Sequence, residues 1–215
     1  MSRFETLIFD FDYTLADSSR GIIECVNHAL GKLGLPRVTE EATRRTVGLS
    51  LPETLVALAG REHADKGSEF TRLFIERADE VMADLTVVFD FVPQVIEWLK
   101  RRGYTLGIIS TKYRYRIEAV LGREGLLHLF DVIVGGEDVS NHKPDPESLL
   151  AALGKLGSPS SSVLYVGDSV TDARAAESAG VAFVAVLSGV TQREAFSGYP
   201  VLAVIDSIVD LEEIL

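Results

Sequence analysis

Phe4-Glu5-Thr6-Leu7-Ile8-Phe9-Asp10-Phe11-Asp12-Tyr13-Thr14-Leu15 is the stretch whose reading decides the fold. Leu7, Ile8 and Phe9 form a short apolar run of the kind that makes a buried strand, and carboxylates follow it at Asp10 and Asp12. In extended backbone, residues two apart share a face, so these two acids open into one space. Two carboxylates that close repel each other unless a cation lies between them or one keeps a proton. Both solutions point to chemistry: a hard divalent cation held by oxygen ligands, or a nucleophile beside a general acid. A solvated turn after a strand also favours Asp, so the rest of the chain must separate the two readings.

The 215 residues suffice for one large α/β domain, or for a core domain with a smaller insert. Hydrophobic residues at 47% and charged residues at 25% describe an ordinary soluble globule with a real core. A formal net charge of −11 argues against nucleic acid as a partner, because phosphate backbones call for a basic footprint. An acidic enzyme acting on an anion would need local cations, from a bound metal and a few Lys or Arg side chains. Cys25 is the single cysteine, so an intramolecular disulfide and a cysteine metal cluster are both excluded. Its neighbours Ile22, Ile23 and Val26 mark it as a buried helix thiol. There is no signal-peptide start and no apolar run long enough for a bilayer, so the expectation is a cytoplasmic protein without a membrane partner.

Outward from the opening stretch, the pattern turns helical. Ser18 or Ser19 is placed to cap a helix carrying Ile22, Ile23, Val26, Leu30 and Leu33, which Gly34 and Pro36 stop. Further helices are expected from Thr39, over Leu51 to Leu58 and from Ala64 to Met82, with no strand between Thr14 and Thr86. Residues 15–86 therefore read as an all-helical insertion, flanked by a core made of 1–14 and 87–215. From Val92 onward helices alternate with short apolar strands, at Leu106–Ile109, Val132–Val134, Val163–Val166, Phe183–Leu187 and Val201–Ile205. A last helix is expected from Ile208. Such alternation predicts α/β architecture, a doubly wound, Rossmann-like parallel sheet with the helical segment inserted as a cap. Sheets of this kind bind ligands outside the carboxyl ends of their strands.

The unusual polar residues fall at those ends. Asp10 and Asp12 follow the first strand, and Ser110 and Thr111 follow Ile109. Lys143 lies in the loop after Val134, and Asp168, Ser169 and Asp172 follow Val166 and Gly167. Any one of these clusters suits a loop or a helix cap; together on one rim they suit phosphoryl transfer. That reaction needs an in-line nucleophile, neutralised phosphoryl oxygens and a proton for the leaving group. Asp10 can attack and become an aspartyl phosphate, while Asp12 can protonate the leaving oxygen and later deprotonate water. Asp10 and Asp168 can hold Mg²⁺. Ser110, the Thr111 backbone and Lys143 can donate to the remaining oxygens. Asp172 can support the metal through water or orient Lys143, with Thr14 and Ser169 beside these groups.

With these residues the chain resembles the haloacid dehalogenase-like hydrolases, mostly phosphatases, in the form that carries an α-helical cap after the first motif. Asp10-Phe11-Asp12-Tyr13-Thr14-Leu15 is the first motif and Ser110 centres the second. Lys143-Pro144 is the third, and Gly167-Asp168-Ser169-Val170-Thr171-Asp172 the fourth. The resemblance spans Phe4 to Leu215 and implies Asp10 as nucleophile and Asp12 as acid/base. It also implies that Asp12 gives its carbonyl to Mg²⁺, that Asp168 completes the protein ligands, and that Ser110 and Lys143 bind the phosphate. Members that dehalogenate or cleave phosphonates lack an acid at the position of Asp12, so its presence favours phosphate esters. Tyr13 departs from the family, where glycine usually follows the second aspartate, and must take a backbone conformation that suits glycine.

A helical insert of this kind is expected to act as a lid that excludes water. In similar proteins a cap loop selects the leaving group, and residues 44–50, with Arg45 and Gly48, are the candidates together with Tyr13. Lys112 is placed to face the site, Arg114 and Arg116 to lie on a solvated helix, and His142 at the surface. The expected activity is Mg²⁺-dependent hydrolysis of a small soluble phosphate ester by a monomer or homodimer. The layout and the Ser110-Thr111-Lys112 run look like the phosphoglycolate phosphatase and pyrophosphatase branch. A nucleotidase, a sugar-phosphate phosphatase or a mutase shares the motifs. A receiver-type signalling module also combines an acidic pocket with Lys and Ser or Thr, but it needs neither the insert nor Asp12. A non-catalytic scaffold would be expected to lack one of Asp10, Asp12, Lys143 or Asp168.

Overall fold

The apolar run after Glu5 is strand β1 (Thr6–Phe9), all four residues buried, in a computed structural model that describes residues 3–215. The first two residues of the expected segment 1–14 lie outside the described residues. After β1 come β2 (Ala16–Asp17), α1 (Ser19–Lys32), α2 (Glu40–Arg44), α3 (Leu51–Ala59), α4 (Gly67–Leu85) and β3 (Val87–Val88). The chain then alternates: α5 (Val92–Arg101), β4 (Thr105–Ile109), α6 (Arg114–Arg123), β5 (Val132–Val134), α7 (Glu147–Leu156), β6 (Val163–Gly167), α8 (Val170–Ala179), β7 (Ala182–Val186) and β8 (Val201–Ile205).

Among the described residues, the main sheet has six strands in the order β5-β4-β1-β6-β7-β8, and every neighbouring pair is parallel. The chain builds outward from β1 to β5, returns, and builds outward again from β6. Winding therefore reverses between β1 and β6, where a doubly wound sheet opens a crevice beyond its carboxyl ends. Phe9 is level with Ile108 on one side and Val166 on the other, so Asp10 leaves the sheet beside the ends of β4 and β6. The sheet's apolar layer includes Ile8, Ile109, Val134, Leu149, Tyr165, Phe183 and Phe196, all at most 1% exposed. Each such side chain contributes about 1.5–3 kcal/mol through burial.

Contacts divide the chain into two compact units, one running to Ala16 and resuming at Val88–Leu215, the other Asp17–Val87. The second unit has its own core, in which α1 supplies Cys25, Val26, Ala29 and Leu30, and α4 supplies Phe70, Leu73, Phe74, Ala78 and Met82. Cys25 is fully buried there, as its neighbours predict. No helix among the described residues is long and apolar enough to cross a membrane.

The structure departs from the expectations in local ways. β2 and β3 pair as a separate two-stranded sheet where no strand was expected before Thr86, since a two-residue strand carries no periodicity. Ser18 precedes α1 without capping it: its hydroxyl accepts from Thr86 Oγ1 at 3.1 Å, and Asp17 Oδ1 takes the Ser19 N–H at 2.8 Å instead. α4 starts at Gly67, because Arg61–Lys66 tightens into a 3-10 turn. The tail after β8 is likewise 3-10 rather than α-helical, Ile208–Glu213, with Ser207 accepting from the Val209 N–H and Asp210 accepting from Ser207 and Asp206. Those side-chain bonds hold a tight turn that competes with a helix.

Candidate active site

Asp10 continues the sheet by one residue, its N–H donating to the Val166 carbonyl at 2.9 Å. Its carboxylate is buried, and Lys143 Nζ lies 2.9 Å from Oδ1. That ion pair is the contact of Oδ1, a buried acceptor with no further hydrogen-bond donor among the described residues. Burial, with Asp172 and Asp12 adding repulsion against the pull of Lys143, pushes the Asp10 carboxyl up to about 7.

Lys143 is the hub of this end of the sheet. Its ammonium donates to Asp172 Oδ1 at 2.7 Å and to the Tyr165 hydroxyl at 3.3 Å. Burial works to discharge it, but the facing Asp10 and Asp172 charges prevail and hold it above the ordinary lysine range. Asp172, fully buried, is saturated: Oδ1 also accepts from Tyr165 at 2.6 Å, and Oδ2 accepts from the Ser169 N–H at 3.0 Å and Oγ at 2.5 Å. Ser169 in turn caps α8 by accepting the Asp172 N–H at 3.2 Å. The residue that caps α8 thus also holds the carboxylate that anchors Lys143.

Asp168, one residue past β6, is buried, and burial, followed by the Asp172 and Asp10 charges, pushes its carboxyl well above the usual range. The carboxylates of Asp10, Asp168 and Asp172 lie within 4.8 Å of one another, close enough to share a cation. Lys143 is the cation placed against these acids by direct pairing, while burial and then the neighbouring carboxylates raise the Asp10 and Asp168 carboxyls. A divalent cation fits clustered, buried carboxylates of this kind, and oxygen donors suit Mg²⁺. Since every lone-pair direction of Asp172 is already used by a donor, Asp10 and Asp168 are the carboxylates left to bind it.

Asp12 is buried on the other side of the loop, where Lys112 Nζ lies 3.3 Å from its Oδ1. Its carboxylate stands outside the three-acid group. Tyr13 is buried at φ 63°, the non-glycine among the described residues with positive φ, so it does adopt the backbone that glycine favours. Thr14 is fully buried, and its Oγ1 has no hydrogen-bond partner among the described residues. Ser110 is buried and its Oγ accepts the Lys112 N–H at 3.2 Å, which leaves its own proton for another acceptor. Thr111 is half-buried, with its carbonyl packed against Gly136.

The sheet unit thus carries Asp10, Asp12, Tyr13, Thr14, Ser110, Thr111, Lys143, Asp168, Ser169 and Asp172, whereas Arg45 and Gly48 belong to the helical unit. Arg45 is exposed and pairs with Glu41 at 2.5 Å, and Gly48 turns the chain at φ 92°. Arg114 is half-exposed and pairs with Asp138 and Glu118, as a surface helix predicts. Arg116 corrects the expectation of a solvated arginine: it is buried, its guanidinium stacked on Tyr113 and Tyr115. His142 is half-buried, near Gly136. Tyr165 was missed, because a tyrosine inside the apolar run Val163–Gly167 reads as core. Its hydroxyl, kept protonated by burial and by the Asp172 and Asp10 charges, is part of the lysine anchor.

Residues 7–186 match the haloacid dehalogenase-like hydrolase family. The sequence is 34% identical over 204 residues to a phosphoglycolate phosphatase of Pseudomonas savastanoi pv. phaseolicola, covering 88% of this chain and 75% of that protein. Among solved structures it is similar to a haloacid dehalogenase-like hydrolase from Bacteroides fragilis, with 42% identity and a TM-score of 0.93 over 97% of this chain and 99% of that one. A predicted phosphoglycolate phosphatase from Haemophilus somnus superimposes with a TM-score of 0.85 at 27% identity, covering 100% of this chain and 99% of that one.

Proposed function

The chain belongs to the haloacid dehalogenase-like hydrolases and is a phosphatase of the aspartate-nucleophile type; from that premise we propose that it hydrolyses small phosphate monoesters whose leaving group carries a second anion, phosphoglycolate first among them. The observation that carries this reading is the buried Lys112 ammonium 3.3 Å from Asp12. Asp12 is the group that delivers a proton to the leaving oxygen, so a cation beside it sits where the leaving group sits. An anion there completes a charge-assisted pair that a neutral alcohol leaves unmade. The relatives described as phosphoglycolate phosphatases support the same reading.

Asp10 attacks phosphorus in line as the leaving oxygen takes the Asp12 proton, giving an aspartyl phosphate and the free alcohol. Asp12, now a carboxylate, takes a proton from water, which displaces the phosphoryl group and restores Asp10. Lys143, anchored by Asp172 and Tyr165, and the Ser110 hydroxyl neutralise the phosphoryl oxygens. Asp10 and Asp168, with the Asp12 carbonyl, would hold Mg²⁺, which would supply further charge neutralisation to the phosphoryl group.

The test is phosphate release from phosphoglycolate, pyrophosphate, glycerol phosphate, a nucleoside monophosphate and a hexose phosphate, with and without Mg²⁺, Asp10→Asn run alongside. The expected result is metal-dependent turnover with the highest kcat/KM on phosphoglycolate, abolished by the substitution. Preference for an ester with an uncharged leaving group would overturn the substrate reading.

A further inference from the structure

The loop after β7, Leu187-Ser188-Gly189-Val190, lies at the carboxyl edge of the sheet next to β6, yet the sequence patterns and the mechanism above give it no part. It touches the candidate site twice. Ser188 Oγ donates to the Tyr13 carbonyl at 2.5 Å, across 175 positions of sequence. At the next residue, a Cβ on Gly189 would stand 2.0 Å from Asp168 Oδ2 and 2.8 Å from its Cγ, so only a bare Cα leaves the carboxylate where it is. Two adjacent residues of one loop thus meet the first motif on one side and the candidate metal carboxylate on the other.

Tyr13 is an L-residue with a side chain at φ 63°, in the left-handed region that favours glycine. Its peptide groups are pinned at both ends: the N–H donates to the Ala16 carbonyl at 2.7 Å, and the carbonyl accepts from Ser188. Because a trans peptide sets its C=O and N–H in opposite directions, the bond to Ala16 also fixes where the Asp12 carbonyl points. Ser188 holds the carbonyl side of the same residue.

We propose that Ser188 and Gly189 form a positioning element: Ser188 latches Tyr13 in its left-handed conformation, which aims Asp12, and Gly189 sets the place of the Asp168 carboxylate. The proposal rests on the assignment of Asp10, Asp12 and Asp168 above, but not on the identity of the natural ester. Neither residue touches the reacting atoms. The Tyr13–Ser188 pair also accounts for a tyrosine in a backbone conformation that favours glycine: the hydroxyl supplies from outside the loop a restraint that the residue itself lacks.

The experiment uses the full chain and two readouts: Mg²⁺ titrations followed by thermal melting, and steady-state kinetics with p-nitrophenyl phosphate, which does not depend on the natural substrate. Ser188→Ala is expected to lower kcat and to raise the Mg²⁺ concentration for half-maximal stabilisation, together by roughly 10–100-fold, as for lost partners behind metal ligands. Ser188→Thr keeps the hydroxyl and should retain both. Tyr13→Gly added to Ser188→Ala should recover most of the loss, because glycine takes the left-handed conformation unaided. Gly189→Ala should weaken Mg²⁺ stabilisation at least as much as Ser188→Ala does; if that variant fails to fold, the serine series still decides. A Ser188→Ala protein with unaltered Mg²⁺ half-saturation and kcat overturns the proposal. So does a Tyr13→Gly, Ser188→Ala double variant no better than the single one, for then the serine is ordinary packing. Asp10→Asn is measured in parallel: if it retains turnover, the mechanism has failed, and the Mg²⁺ melting series still judges the latch.

Discussion

The Lys143 ammonium lies 2.7 Å from an Asp172 carboxylate that has no exposed surface and no unused acceptor site. Asp172 belongs to the compact acid group by distance, but its role is set by its donors. Replacing it by asparagine keeps the volume and removes the charge that holds Lys143 in place. Lys143 retains Asp10 as a partner, so it should swing toward the nucleophile instead of becoming an isolated buried charge. The expected outcome for Asp172→Asn is a fall in kcat of roughly 10–100-fold with a smaller change in KM, since a displaced phosphate-neutralising group costs mainly transition-state binding. Steady-state kinetics at saturating Mg²⁺ test this. A large loss of Mg²⁺ affinity with kcat intact would instead make Asp172 a ligand.

The metal-free protein should carry a pH-dependent stability deficit traceable to Asp10. Burial raises this carboxyl from 3.8 to about 7, so the folded state binds a proton that the unfolded chain has already released. Its stabilising contribution is therefore complete below about 4 and is lost as the pH rises through 7. Asp10→Asn removes the titration. In EDTA, the stability difference between variant and wild type should grow from pH 4 to 7 and then level off with the variant the more stable. The gain should be about 1–4 kcal/mol, the upper figure being the full displacement and the lower one allowing for the pairing of Asp10 with Lys143. Thermal melts across that range measure it; a flat difference would place the proton elsewhere. Added Mg²⁺ should raise the wild-type melting temperature more than that of the variant, reversing the order.

Much of this was legible because side-chain direction and strand ends are readable in sequence. The apolar run Leu7–Phe9 and the i, i+2 spacing of Asp10 and Asp12 pointed to a buried strand opening into a shared space, and the later polar clusters favoured that reading over a solvated turn. The polar groups after Ile109, Val134 and Val166 could be placed on the same rim once the strands were parallel. What escaped was of two kinds. Tyr165 sits within an apolar strand, where periodicity registers its ring and says nothing of its hydroxyl. Ser188 and Gly189 act on residues 175 and 21 positions away, through contacts that exist only once β7 lies beside β6. Arg116 misled for a related reason: its charge predicts exposure, and only the folded helix shows the two tyrosine rings that cover it.

Tyr165→Phe isolates the hydroxyl. The ring would keep its packing against Phe183, centroids 5.6 Å apart, so the loss is confined to the bond to Asp172 and the one from Lys143. Asp172 Oδ1 would retain Lys143, so no acceptor is stranded. A stability loss of about 1.5–3 kcal/mol is expected, the range for a hydrogen bond to a charged group. Because the lysine keeps its main anchor, kcat should fall by less than in Asp172→Asn. Urea unfolding and kinetics on the same preparation check both; an activity loss larger than that of Asp172→Asn would make the hydroxyl a direct partner of substrate.

Lys112→Met tests the substrate reading, with a comparison that cancels the side effect of the change. Lys112 lies beside Asp12, so its removal alters the acid/base group for every ester alike. Phosphoglycolate and glycerol phosphate both release an alkoxide that needs a proton, but only the first carries a second anion on the leaving group. The ratio of their kcat/KM values therefore reports recognition apart from proton transfer. If Lys112 pairs with that anion, the wild-type ratio should fall by roughly 10–100-fold in the variant, the worth of one hydrogen bond to a charged group. Methionine conserves most of the aliphatic stem, so the buried position stays filled. If both esters decline together and the ratio stands, Lys112 serves Asp12 alone, and leaving-group selection has to be sought among other residues.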